Sequence, residues 1–405
     1  MPTRDHDIVL FGATGFTGAL TAEYLAAHAP ATCRWALAGR DRGKLEALRR
    51  KLSKIDARLI ELPLLHADVT EPDSLRAVAE STRVLVTTVG PYLQYGEPLV
   101  AACAEAGTDY LDLTGEPEFA DRMFLRYHKK AVETGARIIH AAGFDSIPHD
   151  LGAYFTVQQL PEGVPITIDG YVRAVGMFSG GTFHSAVTAA SRARENFETA
   201  RARRKADPRP VDRRIRTPLG KPGRDGDLWT VPLPTIDPQI VGRSAAALPR
   251  YGPDFTYRHY MAVKRLATIA GLGGGLAALG VLAQFPPTRR WLLTRRKPGE
   301  GPSAERRAKS WFSVRFVGHG GGQRVVTEVA GGDPGYGETA KMLAESALCI
   351  AFDDLPKTAG QVTTAAAMGN ALIERLRAAD IVFQIVEGPA AEPAQPRRGV
   401  FRAPR

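Results

Sequence analysis

At 405 residues, with 44% hydrophobic and 24% charged side chains, the chain is too long and too apolar for a disordered segment or a disulfide-stapled miniature domain, and it can bury more than one core. Its three cysteines, Cys33, Cys103 and Cys349, lie far apart without metal spacing or an even disulfide framework, so free thiols in a reducing cytosol are expected. The net charge of +10 argues for an anionic partner, but not for nucleic acid, because no nucleic-acid motif accompanies it.

The apolar run Ile8-Val9-Leu10-Phe11 predicts a buried strand, reached from a polar start, Met1 to Asp7, that carries no secretory signal. It leads directly into Gly12-Ala13-Thr14-Gly15-Phe16-Thr17-Gly18 and a helix from Ala19 to about Ala27. A strand that turns through glycines onto a helix start makes a phosphate cradle. Gly12 permits the tight turn, Gly15 lets the backbone approach a pyrophosphate, and Gly18 lets helix and strand pack closely. The second strand, Trp35 to Gly39, ends in Arg40, where an NAD-binding chain would carry an acid for the ribose 2′-hydroxyl. A cation there favours a 2′-phosphate, so the expected cofactor is NADP(H), with Arg40 as the phosphate partner and Lys44 or Arg42 as helpers. Asp41 keeps NAD open, since its carboxylate could take the ribose instead.

A helix over Arg42 to Leu52, a strand near Leu59 to Leu65, a helix from Asp73 to Ser81 and a strand from Arg83 to Val89 continue the alternation. Such alternation predicts a parallel sheet with right-handed crossovers, and ligands gather at the carboxyl ends of its strands. Asp68 then falls at the adenine, and Val89, Gly90 and Pro91 fall on the nicotinamide side.

Residues 192–224 hold twelve Lys or Arg against four acids and four prolines, and read as a solvated basic excursion. With Phe197 as its one aromatic, it suits anionic headgroups or an acidic carrier protein, or it is simply a flexible basic loop. Leu266 to Phe285 is twenty residues without a charge, flanked by basic residues on both sides and by Trp291. Its length would just cross a hydrocarbon core of about 30 Å. Its five glycines fit a bent insertion better than a straight helix, either dipping into an anionic membrane or packing as a hairpin over the substrate groove or a homodimer face. Ile166 to Val175, Phe312 to Val317 and Arg324 to Val329 are strand-like, and Gly337 to Phe352 and Ala367 to Arg377 have helical periodicity.

The chain resembles the saccharopine dehydrogenase-like oxidoreductases, and within them the trans-acting enoyl reductases of polyketide lipid synthesis. The resemblance rests on GATGFTG, VGPY at Val89 to Tyr92, GTDYLDLTGE at Gly107 to Glu116, GFDSIPHDLG at Gly143 to Gly152, GDPGYGETAKMLAESALCIA at Gly332 to Ala351 and VTTAAAMGNALIERL at Val362 to Leu376. It implies an α/β chain: a Rossmann domain with a doubly wound parallel sheet over residues 1–145, then an α/β domain with a largely antiparallel sheet over 146–387, for substrate or dimerisation. The insertion 258–297 lies within the second domain, and a Pro-, Ala- and Arg-rich tail, 388–405, is expected to be disordered.

Under this resemblance the expected reaction is NADP(H)-dependent reduction of a C=C bond in a lipid or polyketide acyl chain, carrier-bound, in the cytoplasm or at the inner face of the plasma membrane. It needs a donor to stabilise an enolate and a proton for the α-carbon. Tyr92, directly after the fourth strand, is the first candidate, followed by Tyr110, His149, Asp145 and His184, while Asp112, Thr114, Gly115 and Glu116 shape the cleft. No Gly-x-Ser-x-Gly elbow and no helix-spaced histidine pair with an intervening glutamate occurs, so no metal is expected. Two other readings stay open: a non-catalytic lipid- or membrane-associated nucleotide-binding protein, and a C–N oxidoreductase with Arg173 or Arg243 clamping a substrate carboxylate.

Overall fold

A computed structural model describes residues 4–176, 187–188, 191–207, 210–265, 271, 274–275, 278, 281–294 and 301–391. His184 and most of the apolar stretch 266–285 lie outside the described residues.

The first part alternates strands β1 (His6–Phe11), β2 (Trp35–Gly39), β3 (Leu64–His66), β4 (Thr82–Thr87), β5 (Asp109–Leu111) and β6 (Arg137–Ile139) with helices α1 (Phe16–His28), α2 (Arg42–Leu52), α3 (Pro72–Ser81), α4 (Tyr92–Tyr95), α5 (Glu97–Ala106) and α6 (Pro117–Thr134). The strands form a parallel sheet in the order 3-2-1-4-5-6, the doubly wound arrangement. Every residue of β1 after His6 is buried because both faces are covered. Ile8 and Leu10 enter one cluster with Leu25 and Leu45, and Val9 and Phe11 enter another with Val78, Val100 and Phe119.

From α7 (Ile147–Val157) the chain builds a second sheet. Its strands are β7 (Ile166–Val175), β8 (Arg214–Arg216), β9 (Gly223–Asp225), β10 (Leu228–Pro232), β11 (Asp254–Val263), β12 (Trp311–Gly320) and β13 (Gln323–Gly331), with helices α8 (Ala193–Ala206), α9 (Asp237–Ala247), α10 (Pro286–Thr294) and α11 (Ala304–Arg307) between them. The end supplies α12 (Gly337–Phe352), β14 (Gly360–Val362), α13 (Thr364–Ala367), α14 (Gly369–Ala378) and β15 (Val382–Ala391). The order is β15-β13-β12-β7-β11-β10-β9, antiparallel except that β11 runs parallel to β7 and to β8. α7 lies on one face, where Gly152 admits the Phe316 ring, since a Cβ there would stand 2.3 Å from it.

The two sheets are not divided by one cut in the sequence. α12 returns to pack against α1, β1, β4 and β5, and β14 adds a seventh parallel strand beside β6.

Four local expectations are corrected. The stretch from Leu59 begins as a 3-10 turn, Ala57–Glu61, because the Asp56 carboxylate caps it at Arg58 N, and the strand starts only after Pro63. The predicted helix from Ala367 is broken into α13 and α14 at Met368-Gly369, where Gly369 has φ +46°. Residues 388–391, assigned by composition to the tail, continue β15 past an irregularity, with Ala390 and Ala391 opposite Arg324 and Gln323 of β13, since a sheet edge satisfies backbone groups whatever the composition. The basic excursion is anchored: Arg203 is buried over the Phe124 ring and bonded to Asp207 and Gln361, fixing α8 on α6. The cysteines are free thiols.

Candidate active site

The glycine loop has the geometry that the sequence predicts. Gly12 adopts φ +82°, and a Cβ there would stand 2.6 Å from the Val89 side chain. At Gly18 a Cβ would stand 2.3 Å from Gly12 O and 2.9 Å from Ala13 Cα, so only glycine lets α1 leave β1 this closely. Gly15 differs: its Cβ position meets nothing nearer than Gly12 O at 3.4 Å. Gly15 is also the N-cap of α1, without a side-chain cap and without an acid in the first turn, so the first amides of α1 are left for an anion. Ala13 is buried beneath the loop, and the Thr88 hydroxyl donates to Gly12 O across it. The residues fit a diphosphate.

Arg40 is exposed at the end of β2. Asp41, the competitor for the ribose, is committed elsewhere: its carboxylate caps α2 by accepting from Lys44 N at 3.0 Å, and this bond holds its carboxyl below the usual range. Lys44 Nζ lies 3.7 Å from the same carboxylate, and Arg42 bonds Glu46. Asp68 closes its own turn by accepting from the Thr70 amide and hydroxyl. Arg40 is exposed beside these committed side chains and remains the expected partner of a 2′-phosphate. Arg40→Ala is expected to weaken NADPH binding about tenfold to a hundredfold while leaving NADH binding unchanged, measured by fluorescence titration with each nucleotide.

At the carboxyl ends of β4, β5 and β6 the acidic motif residues are structural ties. The Glu116 carboxylate accepts from the Tyr92 and Leu93 amides. The Asp112 carboxylate gathers Tyr110 OH, His140 Nδ1 and the amides of Thr114 and Ala141, binding the loop after β5 to the loop after β6. Val89, Gly90 and Pro91 stand beside this junction, Gly90 exposed.

Here the structure corrects the candidate donors. Tyr92 is buried, its hydroxyl donating to Thr87 O at 3.2 Å and accepting from Leu113 N at 3.1 Å, so it is engaged by backbone on both sides. Tyr110 is fully buried and spends its proton on Asp112. Burial drives both phenols well above their ordinary pKa. Neither is left for a substrate.

Asp145 is placed differently. Half-buried in the loop between β6 and α7, its carboxylate lies against Gly115, where a Cβ would come within 2.9 Å of Oδ2. Desolvation, with Asp237 nearby, pushes its carboxyl up to about 6, although His149 pulls the other way. A carboxyl titrating there can hold and release a proton near neutrality.

Behind it, His149 on α7 is buried against Asp237, the first residue of α9, and His259 on β11. Sequence reasoning missed Asp237 and His259, because Thr-Ile-Asp-Pro reads as a helix start and His259 as one residue of an alternating strand. Only the pairing of distant segments brings them together.

The arginines offered as carboxylate clamps are taken. Arg243 bonds Asp121, and Arg173 stacks on Trp311 and faces away from α7, on the side of β7 that carries Ser313 and Arg315 of β12 beside it. Among the described residues no helix is long and apolar enough to cross a membrane.

Comparison with known proteins bears on the family, the fold and the cofactor. Residues 8–139 match the saccharopine dehydrogenase NADP-binding domain. A protein of Mycobacterium tuberculosis (strain H37Rv) is 41% identical over 415 residues, covering 94% of this chain and 97% of its own. The trans-acting enoyl reductase of Mycobacterium bovis (strain BCG / Pasteur 1173P2) is 38% identical over 413 residues, with the same coverage of both chains. Among solved structures, apo saccharopine dehydrogenase (L-Glu forming) from Saccharomyces cerevisiae aligns with a TM-score of 0.56 at 10% identity, over 94% of this chain and 100% of that one.

Proposed function

Because this chain belongs to the trans-acting enoyl reductase family of saccharopine dehydrogenase-like proteins and is an NADP-dependent oxidoreductase, we propose that it reduces the C=C bond of an enoyl thioester, a lipid or polyketide intermediate carried by an acidic protein. The observation that carries the reading is Asp145: a carboxyl raised to about 6, set against Gly115 at the strand ends where a dinucleotide seated on Gly12 to Gly18 would direct its nicotinamide. NADPH, when bound, supplies the hydride for the β-carbon.

The chain's own residues do the rest. Gly15 and the first amides of α1 hold the diphosphate, Arg40 holds the 2′-phosphate, and Val89 to Pro91 line the nicotinamide side. Asp145, in its protonated form, donates to the α-carbon and is reprotonated from solvent between turnovers. The engagement of Arg173 and Arg243 supports C=C over C=N chemistry, which would need a clamp for an amino-acid carboxylate. The test is NADPH oxidation followed by absorbance after addition of an α,β-unsaturated acyl thioester. Stoichiometric conversion to the saturated thioester is expected; oxidation no faster than without thioester, in protein that binds NADPH, would sink the assignment.

A second observation concerns location. Val281, Phe285 and Trp291 are 61%, 58% and 50% exposed, with Arg290 among them. Large apolar side chains beside a cation suit an anionic membrane surface. In flotation with vesicles of anionic phospholipid, the wild-type chain is expected to float and the triple variant Val281→Ser, Phe285→Ser, Trp291→Ser to remain in the dense fraction. Equal flotation of both rejects the contact.

A further inference from the structure

His149, Asp237 and His259 transfer neither proton nor hydride in the reduction described above, although the first two flank Asp145, and they form a buried cluster with unpaired polar atoms. Each is at least nine-tenths buried, and one ligand atom from each lies within 4.8 Å of the others. His149 Nδ1 and Asp237 Oδ1 approach to 2.9 Å, and His259 Nε2 stands 3.7 Å from Asp237 Oδ2. None of these contacts is aligned as a hydrogen bond: both nitrogens of His149, Asp237 Oδ1 and His259 Nε2 are buried with no hydrogen-bond partner. Buried polar atoms are paired almost without exception, so an orphaned nitrogen of His149, Asp237 Oδ1 and His259 Nε2, one atom from each residue and all within 4.8 Å of one another, call for a shared partner.

We propose that His149, Asp237 and His259 bind one divalent transition-metal cation, zinc by preference. Two imidazoles and a carboxylate are a zinc ligand set, and three protein ligands leave a fourth position open. The supporting shell is already present. Tyr257 OH bonds His259 Nδ1 at 2.9 Å, which fixes the ring so that Nε2 faces the cluster, and the Thr235 hydroxyl bonds Asp237 Oδ2. The ligands come from α7, α9 and β11, positions 149, 237 and 259, which is why no local spacing signals them. The site does not depend on the identity of the reduced substrate.

The test uses the full chain stripped with a chelator and dialysed, then titrated with Zn²⁺ by calorimetry and with Co²⁺ by visible absorption. One Zn²⁺ per chain is expected, with cobalt d–d bands of a low-coordinate nitrogen–oxygen site that zinc displaces. His259→Ala and Asp237→Asn should each lose the bands and weaken zinc at least about a hundredfold. Tyr257→Phe, which keeps all three ligands, should weaken it roughly tenfold and remain folded by circular dichroism. His66→Ala, removing the exposed His66–Glu71 pair, should bind as wild type. The proposal is overturned if zinc binding disappears in His66→Ala, if the bands survive in His259→Ala, or, should that variant not fold, if Tyr257→Phe binds zinc like wild type.

Discussion

Asp145→Asn is expected to lower kcat for the enoyl thioester by about 10²- to 10⁴-fold, the usual worth of a positioned general acid. The amide is nearly isosteric, so it should still fit against Gly115, and NADPH affinity should stay within about twofold. The pH profile carries the sign. A donor must be protonated, and burial has raised this carboxyl to about 6. Wild-type kcat/KM should therefore be level below that pH and fall about tenfold per unit above it, whereas the asparagine variant should show no such limb. Steady-state kinetics across this range decide it; an unchanged falling limb in the variant would assign the proton to another group.

The second large effect separates two glycines three residues apart. Gly18→Ala puts a methyl 2.3 Å from Gly12 O and 2.9 Å from Ala13 Cα, both backbone atoms that cannot swing aside. It should cost about 1–3 kcal/mol of stability and abolish measurable NADPH binding, because the loop itself must shift. Gly15→Ala meets only ordinary contact, at 3.4 Å, and Gly15 has φ −74°, which alanine adopts freely. Its melting temperature should change little, yet NADPH affinity should drop at least about tenfold, because the methyl occupies the path of the diphosphate. Calorimetry and thermal denaturation of the two variants give the contrast; a Gly15→Ala protein that binds NADPH like wild type would remove the cradle from the account.

The contrast also marks how far the sequence is legible. β2, α2, β7 and α12 fall at their predicted bounds, because period-2 and period-3.6 apolar patterns and the Asp41 cap act locally. The glycine loop is legible for much the same reason: the turn at Gly12 and the approach of Gly18 to Gly12 O lie within seven residues, although Thr88 and Val89 crowd the loop from the end of β4. Tyr92 misleads because adjacency to β4 says nothing about burial, and α4 turns the ring inward onto Thr87 O. Asp145 looks like one polar residue among several until the loop after β5 brings Gly115 against it. Asp237 and His259 are invisible until α9 and β11 meet α7. Contacts between distant segments carry no periodic signature, and the candidate chemistry of this fold is built from them.

The return of α12 and β14 to the first sheet has a consequence for synthesis on the ribosome. The glycine loop emerges first, but the face of β1, β4 and β5 that α12 covers stays bare, and the β6 edge stays unpaired, until residues near 362 have been made. Closing so long a loop is entropically slow, and an open apolar face with a free strand edge invites association in the meantime. The nascent nucleotide-binding half therefore keeps this face and edge open until α12 and β14 have docked.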